Sequence, residues 1–256
     1  VVVNTSTENY ASWNWKAGTS FDPKDDGTIA VASGSKNVTA GFSIVKYTGE
    51  SGSNFTVGHG LSVAPEIIII KNLDDTIYWI VVSPDNISTT NRLVLNTNAA
   101  QTAGRGLEPP YIDSTVFTLM DGAPPTNDGA SDYIAYCFHS VEGYSKVDSY
   151  IGNGTNDDGP FAFCGFKPAY VLIKDTSAAE DWLIYDNKRD PYNVADKTLE
   201  ANDSAVENAN SAFDFDMLSN GFKIKEDSAD GRVNRNGDSY LYLAFAESPF
   251  KYSNAR

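Results

Sequence analysis

The chain has 256 residues, enough to bury one large β core or two smaller ones. Its 19 lysines and arginines stand against 34 aspartates and glutamates, and a net charge of −15 argues against nucleic acid or a membrane surface as partner. No apolar run approaches the ~20 residues of a membrane helix, and the two cysteines offer no disulfide framework.

In chain order, the first element is the aromatic stretch Tyr10-Ala11-Ser12-Trp13-Asn14-Trp15. It resembles the last strand of a unit that recurs further on, so residues 1–40 read as the end of a preceding unit plus a linker. On that reading the parent protein extends N-terminally and this is its C-terminal portion. Glu66 to Lys71 is a short apolar run rich in β-branched residues and preceded by Pro65, the pattern of a strand buried on both faces. Trp79 to Val82 pairs next, across the turn at Leu73 to Ile77. Phe117-Thr118-Leu119 and Tyr133 to Phe138 are the remaining strands of this stretch.

The same order then repeats. Tyr47-Thr48-Gly49 recurs as Tyr150-Ile151-Gly152, Pro65 to Lys71 as Pro168 to Lys174, and Trp79 as Trp182, each 103 positions on. Insertions in loops shift the later matches slightly: Phe117 to Leu119 answers to Phe222 to Ile224, and Tyr133 to Phe138 to Tyr240 to Phe245. Turn residues separate the runs, and no capped amphipathic helix is present. The stretch Ala195 to Ala212, dense in Asn and Asp, reads as a loop with one helical turn. The expected fold is all-β, two tandem β-sandwich-like units at residues 41–142 and 143–256.

Motifs for catalysis are missing. With only His59 and His139, no H-E-x-x-H zinc site exists, and there is no C-x-x-C pair, P-loop, complete G-x-G-x-x-G or nucleophile elbow. The Asp-rich loops Asp22 to Gly27 and Gly152 to Gly159 miss the spacing of a calcium loop. No cofactor is implied. Both histidines read as hydrogen-bonded structural groups. Cys137 and Cys164, in aromatic strands, read as buried free thiols, with a bridge between them left open. N-x-S/T sequons beginning at Asn4, Asn37, Asn54, Asn86, Asn153 and Asn202 reflect a composition rich in Asn, Ser and Thr. The residues best suited to a ligand are Asn187, Arg189 and Tyr192, directly after the Trp182 strand. A ring face and planar polar groups match sugars, and the equivalent stretch Ser83-Pro84-Asp85-Asn86 lacks the arginine and the tyrosine. These three residues are expected to form an exposed recognition surface.

Asp132 to Ser145, Gly165 to Lys174, Asp186-Asn187-Lys188-Arg189 and Ala244 to Tyr252 together resemble a module common in tailed bacteriophages, especially marine ones. That module closes the C-terminus of long virion proteins such as tail fibres. The resemblance covers Gly41 to Arg256 and the stretch Tyr10 to Trp15. It implies a non-catalytic structural and adhesive part on the virion surface, in contact with other copies of itself, other virion proteins and host-surface glycan. A capsid-decorating protein without a specific ligand is the alternative, and a glycan-degrading enzyme a third reading, resting on acidic pairs such as Asp157-Asp158.

Overall fold

A computed structural model describes residues 6–7, 9–104, 106–209, 214–225 and 232–248. Strands account for the regular structure, with two single-turn 3-10 helices and no α-helix among the described residues. The first half holds β1 (Thr19–Phe21), β2 (Ala32–Asn37), β3 (Phe42–Thr48), β4 (Phe55–Gly58), β5 (Ile67–Asn72), β6 (Trp79–Val82), β7 (Asn91–Val94), β8 (Thr102–Ala103), β9 (Leu107–Ile112), β10 (Val116–Leu119) and β11 (Asp132–Phe138). The second holds β12 (Ser145–Ile151), β13 (Phe161–Phe163), β14 (Pro168–Asp175), β15 (Leu183–Asp186), β16 (Lys197–Glu200), β17 (Asn208–Ala209), β18 (Phe215–Leu218), β19 (Gly221–Ile224) and β20 (Ser239–Ala246).

The topology carries the repeat strand for strand. The first large sheet runs β1-β2-β3-β11-β5-β6-β7-β8 and the second β12-β20-β14-β15-β16-β17, while the small sheets run β4-β10-β9 and β13-β19-β18. From β3 onward the two large sheets have the same order, and every named pairing is antiparallel. Trp79 and Trp182 fall at equivalent places, each leading into the strand beside β5 or β14.

Equivalent tyrosines pin the ends of the two units. Tyr47 stacks on Tyr133 at 5.1 Å and Tyr150 on Tyr240 at 4.9 Å. Their hydroxyls reach buried backbone: Tyr47 donates to Thr126 O at 2.7 Å and Tyr150 to Val233 O at 2.8 Å. Beside each pair lies a fully buried asparagine. Asn127 Oδ1 accepts from Glu50 N at 2.8 Å, and Asn234 Oδ1 from Asn153 N at 2.9 Å. A buried amide is tolerated because both its ends are used: Asn127 Nδ2 donates to Met120 O and Asn234 Nδ2 to Thr155 O.

Three apolar layers result, filled by buried side chains that alternate along the strands. Within the first unit, Tyr133, Ala135 and Cys137 of β11 point toward the small sheet, meeting Val57, Phe117 and Leu119. In the second unit Tyr240, Tyr242 and Ala244 of β20 meet Phe166, Phe215 and Phe222. The opposite faces of the two large sheets pack on each other through Phe42, Ile67, Val81 and Phe138 on one side and Leu172, Trp182, Ile184, Leu243 and Phe245 on the other. The units are therefore stacked back to back, small sheet, large, large, small. That is why β5 and β14 are buried on both faces. Polar bonds seal the seam: Trp182 Nε1 donates to Val94 O at 3.0 Å, Gln101 N to Thr176 O at 3.0 Å, and Lys174 Nζ to Asn98 O at 3.2 Å.

Three expectations from the sequence need correction. Residues 19–37 are not a linker, because β2 pairs along the whole of β3 and β1 pairs on β2, extending the first sheet. Tyr10 to Trp15 form no strand; Trp13 and Trp15 instead set their rings edge-on to Tyr170 at 5.5 and 5.7 Å, at the rim of the seam. The apolar alternation there serves packing of an irregular segment and not a ladder. Ala195 to Ala212 contains β16 and β17 and no helical turn among its described residues, since Leu199 and Thr198 pair into the large sheet. Asn4 and the stretch from Pro249 lie outside the described residues.

Candidate functional site

A hollow of about 960 Å³, open to solvent, lies between the N-terminal segment and the second unit. Its floor is Ala169, Tyr170 and Leu199. One wall is Tyr10 to Trp13, and the other Ser204 to Glu207. Asp186 to Arg189, the turn after β15, close one end.

This turn is built by Asp186. Its Oδ1 accepts from the Lys188 and Arg189 amides at 3.0 and 2.9 Å, an Asx arrangement that reverses the chain. Oδ2 accepts from Arg189 Nε at 2.6 Å, and Arg189 spends its remaining reach on Glu207 at 2.7 Å and Ile184 O at 3.0 Å. A guanidinium has five N–H donors, so its fork keeps donors to spare beyond these partners. Asn187 is buried, its backbone N–H donating to Ala169 O at 3.0 Å, while its side-chain Oδ1 has no hydrogen-bond partner among the described residues. Burial, with the Asp186 carboxylate nearby, raises the Tyr170 hydroxyl far above its ordinary pKa and keeps it a neutral donor.

The three residues singled out from sequence are thus separated. Asn187 and Arg189 line the hollow, but Asn187 is buried and Arg189 is held by two carboxylates. Tyr192 is 80% exposed and outside the lining. The polar end of the site was legible because Asp-Asn-Lys-Arg after a strand is a turn rich in planar groups. The aromatic wall was not: Tyr10 and Trp13 are more than 150 residues away in sequence, and nothing local ties them to Tyr170.

Both histidines and both cysteines are buried. His59 is buried between Leu61 N, which donates to Nδ1 at 3.2 Å, and Asp113 O, 3.1 Å from Nε2. Because Nδ1 accepts, Nε2 carries the proton, and burial lowers the pKa of the ring, which favours this neutral form. His139 bonds Ser140 O through Nδ1 at 2.8 Å. Cys137 and Cys164 are free and buried, and burial pushes both thiols up to about 12. No group of three or more His, Cys, Asp or Glu is placed to hold a metal ion among the described residues.

A family model described as a domain of unknown function (DUF7483) matches residues 1–249. The chain belongs to the DUF7483 family. One match spans the N-terminal segment and both halves, so the repeat is internal to the family's domain and the hollow lies between parts of one DUF7483 domain. No curated protein and no solved structure matches the chain.

Proposed function

We propose that this DUF7483 domain is a non-catalytic structural and adhesive module of a virion, part of a tail fibre or spike, that contacts host-surface glycan through the hollow beside Arg189. The observation that carries the reading is the composition of that hollow: Tyr10, Trp13 and Tyr170 offer aromatic faces, and Asp186, Arg189 and Glu207 offer planar polar groups. Pyranose rings stack on such faces while their hydroxyls bond the polar rim. The acidic surface and the resemblance to phage virion proteins support the location. Asp186 and Glu207 are both committed to one guanidinium, which favours binding over hydrolysis, since a glycosidase needs an acid and a base free to act.

Titration of the purified chain with host capsular or cell-wall polysaccharide tests the proposal. Tyr10→Ala and Lys188→Ala, at exposed rim positions, should weaken binding at least tenfold with the melting temperature unchanged, while Tyr192→Ala should bind normally. Equal binding by all variants, or release of reducing sugar, would defeat it.

A further inference from the structure

The two units differ at one sheet edge. In the first, β4 is the edge strand of the small sheet, and the chain ahead of the unit folds over it. The amides of Thr28 and Ile29 donate to Thr56 O at 2.9 and 3.0 Å, and Thr56 N donates to Thr28 Oγ1 at 3.0 Å. The Pro23 carbonyl closes on Gly58 so tightly that a Cβ there would stand 2.5 Å from it.

The second unit begins at the Val141 to Ser145 turn, and among the described residues no segment covers the equivalent edge. Its equivalent strand is β13, since Ala162 faces Phe222 as Val57 faces Phe117. Pro160 O and Cys164 N bond toward β19, so by the alternation of an antiparallel ladder the backbone groups of Phe161 and the Phe163 N–H turn outward, while Phe163 O already accepts from the Tyr242 hydroxyl at 3.3 Å. The Phe161 N–H and C=O have no partner among the described residues. Where the first unit has Thr56 and Gly58, this strand carries phenylalanines that are 43% and 61% exposed. The other strand uncovered by the missing segment, β12, is guarded by the ion pair Lys146–Asp148 at 3.0 Å, the usual deterrent to strand pairing. Strand β13 has the opposite character.

We propose that β13 is a strand-pairing interface, occupied by β13 of a second copy of this chain, antiparallel about a two-fold axis at Ala162. The register is self-complementary: each Phe161 lies opposite the Phe163 of its partner, each Phe163 N–H reaches the facing Phe161 O, and each Phe161 N–H reaches the lone pair that Tyr242 leaves open on the facing Phe163 O. It also brings the Asp157–Asp158 end of each strand to the Lys167 end of the other, where Asp158 is paired with Lys223 at 2.7 Å and Lys167 with Glu247 at 2.9 Å, so these ends meet as neutralised pairs although each chain carries −15. A strand this short covers less than the roughly 1,200 Å² of a stable complex, so association is weak for isolated chains and strong where copies are already held together. The interface is independent of glycan binding, and each can fail alone.

Sedimentation of the full chain up to about 1 mM, the weak end of ordinary affinities, should show a reversible dimer. Phe163→Lys should weaken it at least tenfold, and Tyr192→Lys, at another exposed ring, should leave it intact. Phe161→Cys mixed with Phe163→Cys should form the mixed disulfide in preference to either like pair, because unlike positions face each other. Both sites are exposed, so folding is checked by unchanged melting. A monomer at every concentration, a dimer indifferent to Phe163→Lys, or cross-linking without preference for the unlike pair overturns the proposal.

Discussion

Replacing Trp182 by phenylalanine probes the seam between the two large sheets. The indole is 1% exposed, and its Nε1 donates to Val94 O at 3.0 Å across the interface. Removing the donor costs ~1 kcal/mol, kept modest because Thr97 N also reaches that carbonyl, at 3.3 Å. The lost ring portion, roughly 40 Å³, adds ~1 kcal/mol at about 24 cal/mol per Å³ of unfilled cavity. The sum, ~2 kcal/mol, corresponds to a fall of roughly 4–8 °C in Tm for a chain of this size. Trp79, at the equivalent position of the first unit, is half-buried and outside the seam cluster, so Trp79→Phe should cost less than ~0.5 kcal/mol. Thermal and urea unfolding of the two variants, followed by circular dichroism, decide the matter. If the units were independent sandwiches, the two substitutions would cost the same, and equal shifts would falsify the back-to-back arrangement.

Asn127→Ala and Asn234→Ala should each destabilise by about 2 kcal/mol in urea titrations, since each removes the two hydrogen bonds that a fully buried amide makes to backbone groups. Gly58→Ala should cost ~1–3 kcal/mol by driving a methyl into the Pro23 carbonyl, and a neutral result would mean that the covering segment is not seated on β4. Stability should fall in alkali. Cys137 and Cys164 titrate near 9.0 when unfolded and about 12 when folded, so their contribution is complete below pH 9 and is lost as pH rises toward 12. Each thiol adds a slope of about 1.4 kcal/mol per pH unit in that window. Lys174, held at about 8 by burial, acts in the other direction between about 8 and 10.5, its penalty easing as pH rises. Cys137→Ala should flatten the alkaline fall of the urea midpoint, and an unchanged slope would refute the assignment.

The all-β class, the repeat and the pairing of β5 with β6 and of β14 with β15 follow from the sequence alone, because they rest on local signals: β-branched runs, turns rich in Gly, Asn and Asp, and a register that recurs 103 positions on. Ile67 to Ile70 even announces a strand buried on both faces. The Asp186 to Arg189 turn is likewise local, so one end of the candidate site could be named in advance. What covers the second face of β5 could not, since the answer is the equivalent sheet of the other half, and sheet-on-sheet packing has no sequence period. The same holds for Trp13 and Trp15, whose partners Tyr170, Phe138 and Phe245 are distant in the chain. Arg189 and Asn187 were identified by type, but whether such groups face water or each other depends on neighbours such as Glu207 and Ala169 that only folding brings near. The difference between Thr56 and Phe161 is visible in the aligned repeats, yet it acquires meaning only when one edge is seen covered and the other bare.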